Sequence, residues 1–391
     1  MTTNQKEPTT SAQLATQPTT QPASYCINPK CQKRQNPDHL GFCQSCSNPL
    51  WINGRYRLVE PLRDLEQPGN AEIFEVEDWG LETAIEAAPK VMKVLAHNNN
   101  PESVRLFRQE ARVLTWLSQK HSGIPRVEPD GYFTVKLKKS SKKSARVLHC
   151  LVMEKIEGLS LEMQLANQGT ISEQVALNWL HQLADILALV HQNGLLHRDI
   201  KPSNIMCHPN GQLVLIDFGA VREETIACFD RDLRIISIFA LTGRSRGHCP
   251  YRLCQCVSPI NKPAKQDIAQ VISMGYAAPE QIEGHALPQS DYFALGRTFV
   301  HLLTGKHPIE FAKSLQTGSQ TGSQTGSQTG KLLWRSEAPW VSKPLADLID
   351  ELMAPLPEQR PRNLLKRLQR LKSRGKSPLQ FRSPLRRLAG F

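Results

Sequence analysis

From Arg55 onward, short apolar runs of strand length alternate with longer stretches whose apolar residues recur every three or four positions. Val91-Met92-Lys93-Val94-Leu95 reads as a strand, with Val91, Lys93 and Leu95 on one face. Phe107, Ala111, Leu114 and Leu117 form an apolar stripe at helical spacing within residues 105–118. Val175 to Leu196 is the most apolar stretch, but Asn178, His181, Gln182, Asp185, His191, Gln192 and Asn193 interrupt it, so it predicts an amphipathic buried helix and not a membrane span. Leu213-Val214-Leu215-Ile216 reads as another strand. The alternation predicts a mixed α+β domain over residues 55–366.

Polar segments frame this domain and interrupt it. Residues 1–24 are rich in Thr, Gln and Pro and too poor in apolar side chains to offset the entropy of ordering, so they are expected to be disordered. Residues 136–146 carry six basic residues and several serines between two strand-like runs, as a solvent-facing hairpin loop would. Residues 316–330 repeat a QTGS unit with nothing apolar to stack, which predicts a flexible insertion. Residues 367–391 form a basic tail. The net charge of +12 comes almost entirely from the end of the chain, where Arg360 to Phe391 holds eleven Lys or Arg and no acid. The start of the chain lacks the apolar core of a secretory signal, and the expected location is the cytoplasm.

Ten cysteines are many for a cytoplasmic chain. Cys26, Cys31, Cys43 and Cys46, in the module over residues 25–50, follow the pattern C-x4-C-x11-C-x2-C. Two close pairs of thiolates can surround a zinc ion tetrahedrally, and the metal would supply folding energy to a module with little core of its own. Redox-active thiols are the alternative. Cys249, Cys254 and Cys256 form a second group, read as ordinary thiols.

The most informative chemistry lies in His197-Arg198-Asp199-Ile200-Lys201-Pro202-Ser203-Asn204 and in Asp217-Phe218-Gly219, whose Asp217 follows Asp199 by eighteen residues. Two carboxylates and an amide on loops held by apolar strands suit phosphoryl transfer. One carboxylate can accept a hydroxyl proton, and another can hold Mg2+ against phosphate oxygens.

These segments resemble the catalytic loop and metal-binding element of eukaryotic-like protein kinases, and the resemblance extends over residues 55–366. It implies a two-lobed fold, with a small lobe at about 55–153, a large lobe at about 157–366 and ATP between them. By the same resemblance Asp199 is the catalytic base, Lys201 contacts the transferred phosphate in the serine/threonine manner, and Asn204 and Asp217 hold Mg2+, with Mn2+ as the alternative ion. Lys93 and Glu110 orient the ATP phosphates, and the backbone of Glu154 and Ile156 meets the adenine edge. Arg360 is the expected partner of Glu280 in Ala278-Pro279-Glu280, while Asp291 and Gly296 match the helix that anchors the catalytic loop. Ser273 stands where serine/threonine kinases place a hydroxyl near the substrate. The cysteine module resembles the zinc ribbon that precedes the kinase domain in cyanobacterial serine/threonine kinases.

The chain departs from the family in two places. The glycine-rich loop retains Gly69 alone, followed by Asn70 and Ala71, which implies weakened turnover. The segment from Asp217 to Glu280 spans 64 residues, about twice the expected length. Arg198 beside the base implies activation by phosphorylation of that segment, by the chain itself or by an upstream kinase, with Thr225, Thr242, Ser245 and Ser258 as candidates. The expected partners are proteins bearing Ser or Thr. Nucleic acid is not expected, because few aromatic residues accompany the basic tail. The competing readings are a pseudokinase scaffold and a binding protein built on the zinc ribbon and tail.

Overall fold

A computed structural model describes residues 23–65, 71–80, 89–96, 100–138, 146–223, 273–314 and 332–374. Gly69, the second cysteine group, the four candidate phosphosites, the QTGS repeat and the end of the basic tail lie outside the described residues. The chain divides into two compact units, residues 1–100 with 131–153, and residues 101–130 with 154–391.

The first unit opens with an antiparallel pair, β1 (Ala23–Tyr25) and β2 (Gln35–Pro37), that frames the cysteine module. Strand β1 takes in Ala23 and a fully buried Ser24, so order begins before the expected end of the disordered segment at residue 24. The sheet that follows contains β3 (Trp51–Ile52), β4 (Tyr56–Pro61), β5 (Ala71–Asp78), β6 (Lys90–Leu95), β7 (Val127–Lys136) and β8 (Val147–Glu154), in the order β3-β4-β5-β6-β8-β7. Strand pairing thus begins at Trp51, ahead of the expected domain start at Arg55.

Strand β5 alternates along its length. Glu72, Phe74 and Val76 are buried, while Ala71, Ile73 and Glu75 are half-buried. Phe74 and Val76 join Tyr56, Leu58, Met92, Val94, Leu148 and Val152 in the core of this unit. Met92 and Val94 reach it from the face of β6 opposite Lys93, as the two-residue period requires.

The second unit begins with α1 (Pro101–Leu117), whose buried Phe107, Ala111, Leu114 and Leu117 are the expected stripe. The expected division put this helix in the small lobe. It clusters instead with the second unit, where Gln109 donates to the Val221 carbonyl at 3.3 Å. Next come β9 (Leu159–Ser160), α2 (Leu161–Gln168), the long α3 (Glu173–Gln192), β10 (Leu195–Leu196), β11 (Ile205–Cys207), β12 (Leu213–Leu215) and β13 (Arg222–Glu223). Ser160 and Ser172 cap α2 and α3 through their hydroxyls.

After residue 272 the chain continues through α4 (Pro279–Ile282), α5 (Pro288–Thr304), α6 (Pro308–Ser314), α7 (Lys343–Leu352) and α8 (Leu364–Arg374). Gly296 allows α5 to pass close to the end of α7, since a Cβ there would stand 2.6 Å from Met353 Cγ. Helix α8 extends to Arg374, past the expected start of the basic tail at residue 367. It buries Leu364 and Leu368, and its Arg367 pairs with Glu351 at 2.7 Å. Among the described residues no helix is long and apolar enough to cross a membrane.

Candidate active site and metal centre

Strand register brings the two motifs together. The segment from His197 to Asn204 connects β10 to β11, and Asp217-Phe218-Gly219 connects β12 to β13. Strand β11 pairs antiparallel with β12, Ile205 opposite Leu215, and β10 pairs with β13, Leu196 opposite Arg222. Asn204 and Asp217 therefore emerge at the same end of the β11–β12 pair, and the Ile216 N–H donates to the Asn204 carbonyl at 2.9 Å. Both motifs contain non-glycine residues with left-handed backbone, Arg198 at φ 70° and Asp217 at φ 64°. Such strain persists where surrounding contacts over-determine it, as they do at functional sites.

Asp291 supplies that determination. Its Oδ2 accepts the His197 N–H at 2.9 Å, and its Oδ1 accepts the Arg198 N–H at 2.7 Å. His191, in the last turn of α3, lies 2.8 Å from Oδ2. Full burial would raise the Asp291 carboxyl, but the His191 contact, the nearby His197 and the Arg198 N–H outweigh it and hold the pKa below the ordinary carboxylate value. Burial pushes His197 down from the ordinary histidine value, against the pull of Asp291, Asp199 and Asp217. The neutral His197 ring packs edge-on to Phe218, with centroids 4.8 Å apart. The Arg198 carbonyl accepts from Gln281 at 2.7 Å, which ties the loop to α4.

Asp199 stands at the centre of a polar group. Its Oδ2 accepts from Asn204 Nδ2 at 2.8 Å and lies 2.9 Å from Lys201 Nζ. Its Oδ1 accepts from the Ser273 hydroxyl, and that same hydroxyl oxygen accepts from Lys201 Nζ at 2.9 Å. A serine hydroxyl thus lies between the carboxylate and the ammonium. Asn204 commits its amide nitrogen to Asp199, so its Oδ1 can serve a cation, and Asp217 brings carboxylate oxygens to the same end of the strand pair. Hard cations such as Mg2+ take this kind of oxygen donor set.

The remaining expected residues are placed as follows. Lys93 is half-buried on β6, and Glu110 is 2% exposed on α1. Glu154 ends β8, where its N–H donates to the Arg126 carbonyl at 2.8 Å and its carboxylate accepts the Arg126 N–H at 3.1 Å. Of its backbone groups only the carbonyl can therefore serve a ligand. Ile156 follows two residues later and is half-buried. Glu280 and Arg360 make the expected pair, at 2.6 and 3.1 Å, and Ser290 donates to the same carboxylate at 2.6 Å. The sequence reading missed His191 and Gln281. His191 carried a signal, since it sits in the last turn of the helix that leads toward the His197–Asn204 segment.

The four cysteines also converge. Their sulfurs all lie within 4.8 Å of one another, with Cys26 and Cys46 at 3.4 Å and Cys31 and Cys43 at 3.6 Å. Four sulfurs held at about 2.3 Å by one tetrahedral zinc stand about 3.8 Å apart, so the set fits that ion and is too long for disulfides. Burial raises the Cys26 thiol. Burial also opposes ionisation of Cys46, but hydrogen bonds from the Asn48 side chain and backbone, and from Cys26, bring its pKa down to about 6.

A loop pair of this kind, anchored by the buried Asp291 of α5 in a largely helical unit, together with a sheet of six strands, defines a protein kinase fold. Residues 82–227 match the family model described as the protein kinase domain. The chain is 31% identical to serine/threonine-protein kinase F of Synechocystis sp. over 82% of its own length and 55% of that protein. It is 29% identical to serine/threonine-protein kinase B of the same organism, over 75% and 44%. It is 30% identical to serine/threonine-protein kinase PknA of Nostoc sp., over 79% and 45%. The chain therefore carries a protein kinase domain of the bacterial, eukaryotic-like kind, and it spans about half the length of the curated relatives it matches.

Proposed function

We propose that this chain is a serine/threonine protein kinase that transfers the γ-phosphate of ATP to a Ser or Thr hydroxyl of a protein. The observation that carries this reading is the Ser273 hydroxyl held between Asp199 and Lys201. A substrate hydroxyl in that place would give its proton to the Asp199 carboxylate as its oxygen attacks phosphorus. The Lys201 ammonium, beside that oxygen, would offset charge developing on the transferred group. Asn204 fixes the Asp199 carboxylate and, with Asp217, offers oxygens to Mg2+, which when bound with ATP neutralises phosphate charge. Lys93 and Glu110 keep the nucleotide-orienting roles that the resemblance assigns them, and the Glu154 carbonyl with the Ile156 backbone meets the adenine. Cys26, Cys31, Cys43 and Cys46 hold structural zinc. The proposed location is the cytoplasm, with control through phosphorylation of the segment between Asp217 and Glu280.

The test is incubation of the purified chain with labelled ATP, Mg2+ and a basic protein substrate, beside an Asp199→Asn variant. Transfer by the parent, reduced about 10²–10⁴-fold in the variant, is the expected result. A folded parent that transfers nothing, even after prior phosphorylation by an active kinase, would overturn catalysis and leave a nucleotide-binding or scaffolding protein.

A further inference from the structure

Strand β5 places a carboxylate where its neighbours are apolar. Glu72 lies on the same face as Phe74 and Val76, is 5% exposed, and is the second residue after the loop that β4 and β5 enclose. A carboxylate so placed needs compensation from a donor of fixed geometry. It receives one from the cysteine module. Arg34 Nη1 and Nη2 reach Glu72 Oε1 and Oε2 at 2.9 and 2.8 Å, a bidentate pair. The guanidinium lies over the Phe74 ring, 5.2 Å from its centroid.

Arg34 is in turn built into the metal centre. Its Nε donates to the Cys26 carbonyl at 2.9 Å, and the Cys26 N–H donates back to the Arg34 carbonyl at 2.8 Å. The preceding carbonyl, of Lys33, lies 3.2 Å from Cys31 Sγ. Further contacts seat the module on the sheet of its own unit. Arg57 donates to the Leu40 carbonyl at 2.8 Å, the Lys138 N–H donates to Asn48 Oδ1 at 2.8 Å, and Ile27 enters the sheet's core.

We propose that Arg34 and Glu72 are positioning residues for nucleotide binding, through which the cysteine module holds the strand that leaves the loop between β4 and β5. This rests on the reading of that loop as the one that covers the ATP phosphates. The loop hairpin is closed by a backbone bond from Leu62 N–H to the Ile73 carbonyl at 2.8 Å, immediately beside Glu72. A base fixed in advance lowers the ordering that the ligand must impose. Cys26 of the first cysteine pair, Arg34 and Glu72 then form one continuous set of hydrogen bonds from the metal centre to β5.

The experiment measures ATP–Mg2+ affinity by calorimetric titration of the full chain, alongside metal content per chain and steady-state kinetics, for the parent, Arg34→Ala, Glu72→Gln and the double variant. Each single substitution is expected to weaken ATP binding and raise KM for ATP about tenfold, with kcat and KM for the protein substrate within about twofold, because a strained or loosened loop acts on nucleotide affinity. Both should keep one zinc per chain. The double variant should be no worse than either single, the non-additivity expected of two residues acting through one contact. Affinities within about twofold of the parent in both singles, or losses that add in the double, overturn the proposal. If Arg34→Ala sheds its metal, Glu72→Gln decides, since it leaves every module residue in place. A parent that binds ATP but transfers no phosphate sinks the kinase reading and leaves this coupling standing, whereas a parent that binds no ATP removes both.

Discussion

Asn204 grips Asp199 twice with one amide nitrogen, donating to its backbone carbonyl at 2.9 Å and to its Oδ2 at 2.8 Å. The 3-10 turn Pro202–Asn204 sets this geometry, because it folds the chain back over five residues and leaves Asn204 only 3% exposed. The carboxylate is therefore oriented in advance, which in the proposed reaction would remove an ordering cost from the chemical step. Asn204→Ala should lower phosphoryl transfer by about 10–100-fold and raise the magnesium concentration needed for half-maximal rate, as loss of an oriented oxygen ligand does. Rates measured across a magnesium titration check it; a parental magnesium dependence in the variant would remove Asn204 from the metal site.

Arg360 and Glu280 form a bidentate pair in which the arginine side chain is fully buried. Arg360 also donates to the carbonyls of Ala354, Pro355 and Gln289. Arg360→Ala leaves a half-buried carboxylate with Ser290 as a remaining donor and strips three carbonyls of their partner, so it should destabilise the second unit by about 3 kcal/mol. Arg360→Lys should recover only part, because an ammonium cannot reproduce the planar fork. Chemical denaturation followed by tryptophan fluorescence gives both values.

His301 accepts or donates to Tyr276 through Nδ1 at 2.7 Å, beside His307 and Glu310. Burial, reinforced by His307, lowers its pKa to about 4. The folded state thus prefers the neutral ring, while the unfolded chain takes up a proton below the ordinary value of about 6.5. The contribution is fully present above pH 6.5 and is lost as pH falls toward 4, on the order of 3 kcal/mol in total. Melting temperatures measured from pH 7.5 to 4.5 should fall less steeply in His301→Gln than in the parent. Parallel curves would place the acid sensitivity elsewhere.

The cysteine module has little core beyond Cys26, Cys31, Cys43 and Leu50. Removal of metal by a strong chelator should therefore raise amide hydrogen exchange across residues 23–50 and leave the helices of the second unit protected. Metal analysis of the purified chain should give one zinc. Cys43→Ser should abolish it, and retention of stoichiometric zinc in that variant would exclude a four-thiolate site.

Much of this protein was legible because the decisive signals are local. The stripe of α1, the alternation of β6 and the apolar runs around the two loops follow from periods of 3.6 and 2 that any stretch of sequence displays. Asp199, Lys201 and Asn204 lie within six residues, and the paired cysteines within two short segments, so both groups could be picked out as candidates from local sequence. What spacing could not give was the partner of each group. Asp291 meets His197 across 94 positions, Ser273 meets Asp199 across 74, and Arg34 meets Glu72 across 38. Nor could it decide that α1 clusters with the second unit, or that the supposed tail begins as a packed helix.

Residue pattern and motif spacing by themselves determined the α+β class, the loops proposed for phosphoryl transfer and a four-thiolate cluster. Tertiary structure alone decided that a buried glutamate beside a glycine-poor loop is answered by an arginine of the cysteine module. The physical reason is that a hydrogen bond between residues far apart leaves no period in the sequence. A charged residue on an apolar strand face announces that it needs a partner, but only the folded chain brings that partner within 3 Å.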